Sequence, residues 1–178
     1  MTLSDLASIG SFVSGVAVVV TLIFLLLQLR QTERVQQGAM QQGRAARTVD
    51  FILRATDPGL CETIVRANKS DLTLTPVQIA ALNTYAVALF WSMEDSFLQH
   101  QKGLLDAASW ATEVATLKVF LLSPAWRVGW QMCRDQTSGD YRQFVDSLMR
   151  SVKPMKSFDE SSVWKDLMEK QLAEVARA

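Results

Sequence analysis

The side chains best suited to chemistry fall in the middle of the chain. Glu94 and Asp95 are adjacent acids on an otherwise apolar stretch, and His100, the one histidine, follows within two turns. Trp91, Trp110 and Trp130 lie nearby in sequence, with Arg127 and Arg134 as cations. A carboxylate among tryptophans is the pattern of a small-ligand pocket, so Trp91, Glu94, Asp95, Trp110, Arg127 and Trp130 are the ligand-binding candidates. A metal centre needs more donors. A di-iron bundle would require Glu-x-x-His pairs on two helices, yet Phe97 stands three residues before His100. Neither a metal site nor a cofactor is expected. Adjacent helical residues point about 100° apart, so one acid at most faces a core. The plainest role for that acid is an ion pair with Arg127 or Arg134. Likewise the plainest role for the tryptophans is to anchor a core. Cys61 and Cys133 form no CxxC, and no phosphate loop, nucleophile elbow or dinucleotide fingerprint occurs. No catalytic residue emerges, and the sequence leans away from an enzyme.

Composition narrows the classes further. The 178 residues carry 18 basic and 18 acidic side chains, unlike a basic nucleic-acid binder, so no nucleic-acid partner is expected. Hydrophobic residues make up 49% and charged ones 20%, which excludes a disordered chain. Two cysteines exclude a disulfide-built scaffold.

The elements that must position these groups begin with an apolar run. Residues 6–29 hold no charge, and at about 1.5 Å per residue they span roughly 36 Å against about 30 Å of hydrocarbon. A cleaved signal peptide would have a basic start and a small-x-small end. Here only Asp5 precedes the run, which closes on Gln28-Leu29-Arg30-Gln31. Residues 1–30 are therefore expected to be a retained transmembrane anchor. Residues 30–54 carry net +3, and Arg30, Arg34, Arg44 and Arg47 form a basic collar. Basic flanks stay on the cytoplasmic side, which predicts N-terminus out and C-terminus in. Cys61 and Cys133 would then be free thiols in a reducing compartment. Ala7, Ser11 and Gly15 recur at i, i+4, i+8, and Gly10 and Ser14 form a second small pair. Such a face allows helix association in lipid, as a homo-oligomer or within a larger membrane complex; equally, it fills one end of the helix.

Beyond the anchor, the pattern predicts helices with marked ends. Residues 31–57 read as a Gln- and Arg-rich helical stalk, weakened at Gly38 and Gly43 and stopped by Asp57-Pro58-Gly59. Residues 58–151 read as a bundle of about five helices, at 58–68, 76–101, 107–122, 124–135 and up to 151. Thr75-Pro76-Val77-Gln78 has the form of a capping box, Gly103 stops that helix, and Asp106 and Ser123-Pro124 open the next two. Residues 72–93 form a second uncharged run. Gln78, Asn83, Thr84 and Ser92 interrupt it, so a buried core helix is expected and not a second span. Ser157 to Glu160 has the form of a capping box for a C-terminal amphipathic helix at about 158–176, in the segment 152–178.

This order of features resembles a broad group of uncharacterised bacterial proteins with one N-terminal transmembrane helix and a small all-helical cytoplasmic domain. The resemblance rests on Leu26-Leu27-Gln28-Leu29-Arg30-Gln31, Leu74-Thr75-Pro76, Trp91 with Glu94-Asp95, Gly103-Leu104-Leu105-Asp106 and Trp110. It continues through Pro124 with Arg127 and Trp130 to Phe144-Val145, and departs from the group at Ala125, where members usually have Gly. It covers roughly residues 1–150 and implies an all-α, single-pass protein of the bacterial inner membrane, with no activity attached. Three functions are compatible: a non-enzymatic interaction or accessory-subunit protein, a small-ligand sensor with a Trp-lined pocket near Glu94 and Asp95, and a membrane-surface or lipid-associated module.

Overall fold

Helices of the body begin where a side chain can take the first unpaired N–H groups. In the computed structural model, which describes residues 3–177 and their side chains other than those of residues 3–11, Arg34, Gln37 and Glu160, the chain is all-α. Its helices are α1 (Leu3–Arg54), α2 (Pro58–Asn68), α3 (Pro76–Gln101), α4 (Ala107–Phe120), α5 (Pro124–Cys133), α6 (Gly139–Ser151) and α7 (Glu160–Val175), with one 3-10 turn at Arg134–Gln136. Thr75 Oγ1 accepts from the Gln78 N–H while Gln78 Oε1 accepts from the Thr75 N–H, the reciprocal box expected there. Asp57, Asp106 and Ser123 cap α2, α4 and α5. Gly103 ends α3 with φ +69°, a conformation that costs a residue without Cβ little.

The chain divides after Thr48. In the first unit, α1 runs through Gly38 and Gly43 without interruption. Its apolar side chains from Phe12 to Leu29 are exposed, and it is the one helix among the described residues long and apolar enough to cross a membrane. The second unit starts at Val49, earlier than the 58 expected from the Asp57-Pro58-Gly59 break. That break ends the helix, but packing has begun before it. Phe51 stacks on Tyr85 at 4.1 Å, and the Tyr85 hydroxyl donates to the Phe51 carbonyl at 2.9 Å.

α3 is the centre of the bundle. Tyr85, Ala86, Leu89, Phe90, Met93 and Phe97 are buried against its neighbours, as a core helix requires. Burial of each large side chain contributes about 1.5–3 kcal/mol. α5 lies so close that a Cβ at Gly129 would meet the Ala86 Cβ at 2.7 Å. Glycine is required here for close approach of two helices, not for turning.

Three ends differ from expectation. α4 stops at Phe120, two residues early, because Pro124 has no N–H to continue the ladder and holds Ser123 extended; Arg127 Nε then donates to the Leu121 carbonyl at 2.7 Å. α5 gives way to the 3-10 turn after Cys133. Ser157 does not cap α7. Asp159 does, accepting from the Ser161 N–H at 3.1 Å. Phe158 lies before the helix, with its N–H donating to the Asn68 carbonyl at 2.9 Å. The strap before it is tied down as well, by Met155 N–H to the Leu122 carbonyl and Ser70 Oγ to the Lys156 carbonyl, each at 2.8 Å.

Candidate functional site

Of the two acids on α3, Glu94 takes a different partner from the arginines expected. Glu94 Oε1 accepts from the Ser138 N–H at 2.7 Å. Ser138 is the N-cap of α6 and makes no side-chain cap of its own, so Glu94 serves that helix start from across the bundle. Asp95 accepts from Gln99 Nε2 at 2.8 Å. The expected pairing of Glu94 with Arg127 or Arg134 is not made. Arg127 is spent on backbone, donating to the carbonyls of Leu121 and Val152. It thereby closes the C-terminal ends of both α4 and α6, where carbonyls have no intrahelical donor. Arg134 donates to Asp146 Oδ2 at 2.6 Å.

Asp146 is the acid that sequence reasoning missed. Its other oxygen accepts from the Trp130 indole N–H at 2.8 Å. Partial burial alone would raise its pKa. The Trp130 and Arg134 hydrogen bonds outweigh that, and the carboxyl is held below its ordinary value. Its contribution to stability is therefore complete above the unfolded value of about 3.9 and is lost as pH falls through the depressed folded value. Asp146→Asn is expected to flatten the acid limb of the stability–pH curve below about pH 4, measured by urea unfolding. An unchanged acid limb would contradict this.

The tryptophans separate. Trp130 is fully buried, Trp110 is half-buried and stacked on His100 at 5.0 Å, and Trp91 is 52% exposed. Phe97, Tyr141 and Phe144 complete the aromatic packing around Trp110 and Trp130. The Tyr141 hydroxyl is buried with no hydrogen-bond partner among the described residues, and burial drives its pKa up. Tyr141→Phe is thus expected to keep or raise stability, by up to about 1 kcal/mol, read as a shifted Tm. A loss greater than that would mean the hydroxyl has a partner. Cys133 is also buried; desolvation pushes its thiol up to about 11, so it is no nucleophile at neutral pH. Cys61 is a free thiol at the surface.

Two clefts of about 290 Å³ each lie elsewhere, and neither is lined by the six ligand-binding candidates. One opens between the end of α1, α2, α4 and α5, with Phe51, Ile64, Phe120 and Trp126 as walls and Asn68 and Ser123 as polar groups. The other runs along the α2–α3 loop beside α3 and α5, past Leu72, Ile79, Val128 and Met132. No spacing rule marks Asn68 in the sequence, because it ends a helix and its partner Ser123 lies 55 residues away. In α1, Ser14 and Gly15 are exposed and the collar residues Arg30 and Arg47 lie on the helix surface, with Arg44 half-buried. Ala7, Gly10 and Ser11 lie on α1, but their surroundings and the Arg34 side chain are outside what the structure describes.

α7 presents a further feature. Val163, Trp164, Leu167, Met168, Leu172 and Val175 are all exposed. At 100° per residue they fall within one half of the helix. No protein-family model matches this chain, and no curated protein or solved structure matches it either.

Proposed function

We propose that the chain is a non-enzymatic, membrane-anchored interaction protein that docks a partner protein through α7. The observation that carries this reading is the apolar half of α7, which is open to solvent along its whole length. A contiguous exposed face of this kind is the usual mark of an interaction surface. A lipid surface fits less well. Interfacial helices are rich in Lys and Arg, whereas α7 sets Glu160, Asp166, Glu169 and Glu174 against only Lys165 and Lys170. The apolar segment of α1 supplies the anchor, and the +3 collar orients it with the bundle on the cytoplasmic side of the bacterial inner membrane.

A photo-reactive phenylalanine analogue at position 167 of the full chain tests the docking in cells. A discrete protein adduct that is lost with Trp164→Asp is expected. Adducts to lipid alone, or none, overturn the reading. Topology has a separate readout, since Cys61 is exposed and Cys133 buried. A membrane-impermeant maleimide is expected to label Cys61 only after spheroplasts are lysed, and labelling of intact spheroplasts would reverse the orientation.

A further inference from the structure

The cleft between the end of α1, α2, α4 and α5 is built around one buried amide. Asn68 is 6% exposed and Ser123 is 2% exposed. The Ser123 hydroxyl donates to Asn68 Oδ1 at 2.8 Å, and Ser123 Oγ accepts from the Ala125 N–H, so the carbonyl end of the amide is fixed and occupied. The NH2 end has no hydrogen-bond partner among the described residues, yet it is not sealed from the space beside it. A donor that keeps access to the cleft is hydrated when the cleft is empty, and a ligand acceptor that reproduces that hydrogen bond can take the place of the water. The walls are apolar, from Phe51, Ile64, Phe120, Trp126 and Phe158, and among the described side chains no charged one lines the cleft. A cavity of about 150 Å³ holds benzene, so this one has room for roughly two such rings.

We infer that this cleft binds a compact, neutral molecule with an apolar body and one hydrogen-bond acceptor, such as a carbonyl, which takes the Asn68 amide. A carboxylate is disfavoured because it would be desolvated with no cation to pair it. Phe158 forms one wall while its N–H holds the Asn68 carbonyl, so the occupied cleft would bear directly on the residue just before the Asp159 cap of α7. The inference does not depend on what α7 docks.

Three shape-matched probes test it on the full chain in detergent micelles by isothermal titration, with protein-free micelles as the blank. Acetophenone offers the carbonyl, α-methylstyrene replaces its oxygen by CH2, and benzoate carries a charge. Saturable binding of acetophenone is expected, up to about tenfold tighter than α-methylstyrene, with benzoate weakest. Asn68→Ala is expected to erase the preference while leaving hydrocarbon binding. Because that change also removes the bond from Ser123, Ala55→Phe serves as a second variant, filling the cleft with Asn68 intact and abolishing binding of both neutral probes. Equal affinity for acetophenone and α-methylstyrene, benzoate binding as tightly as acetophenone, or no saturable binding by the native chain would each overturn the inference.

Discussion

Trp130→Ala is expected to lower the stability of the bundle by about 4–5 kcal/mol, the largest single-residue effect in the molecule. The side chain is fully buried, touching Phe90 at 5.0 Å and Tyr141 edge-on at 5.7 Å between ring centroids. Truncation leaves a cavity that helices already in contact can only partly close. It also removes the indole N–H from Asp146, which keeps Arg134 alone. Trp130→Phe separates the two causes. It retains most of the apolar contact and loses the hydrogen bond, so about 2 kcal/mol is expected. Urea midpoints of the full chain in micelles give both values. If alanine and phenylalanine were equally destabilising, the hydrogen bond and not the packing would set the cost.

Arg127 is expected to come second. Arg127→Met keeps the aliphatic stem and removes the donors from the Leu121 and Val152 carbonyls. Charge-assisted hydrogen bonds contribute about 1.5–3 kcal/mol each, and relief of the guanidinium's desolvation offsets part of the loss. A net cost of about 2–4 kcal/mol follows. Arg127→Lys recovers less than half of it, since one ammonium cannot span two carbonyls in the fork geometry. Full recovery by lysine in the same unfolding assay would mean that charge alone is needed there. Hydrogen exchange offers a second check. Protection at the ends of α4 and α6 should fall together in the methionine variant, because one side chain closes both.

These two residues also show where sequence reading stops. The helix starts were legible because their chemistry is local: Thr75 and Gln78 complete a box within one turn, and Asp106 reaches the Ser109 N–H three residues on. Arg127 was visible as a cation, and the natural expectation was an acid. Its partners are backbone carbonyls, which every residue has and no letter of sequence advertises. Glu94 was visible as an acid on an apolar helix, yet its partner is a backbone N–H 44 residues away. Asp146 gave no signal, because an acid on the polar side of an amphipathic helix looks like a solvated one. The start of α7 was misplaced as well. Ser157 has the right type and spacing, but Phe158 lies before the helix, with its N–H on the Asn68 carbonyl. Tertiary contacts outside the segment decided the cases of Arg127, Glu94 and Asp146.

The uncharged run of α3 has a consequence for the order in which the protein is made. Its apolar surface is fully covered only once α5 and α6 exist, and α6 ends at Ser151. At about 5–20 residues per second, the ribosome needs roughly 3–12 s to go from Met93 to that point. For those seconds α3 is an apolar helix covered only in part, by the end of α1, by α2 and then by α4, in a chain whose first segment can enter a bilayer. Two features then act against its entering too: Pro76 shortens the uncharged helix, and Glu94 and Asp95 follow at once. The acid that later caps α6 would thus begin its service as a barrier to insertion, before the helix it caps has been synthesised.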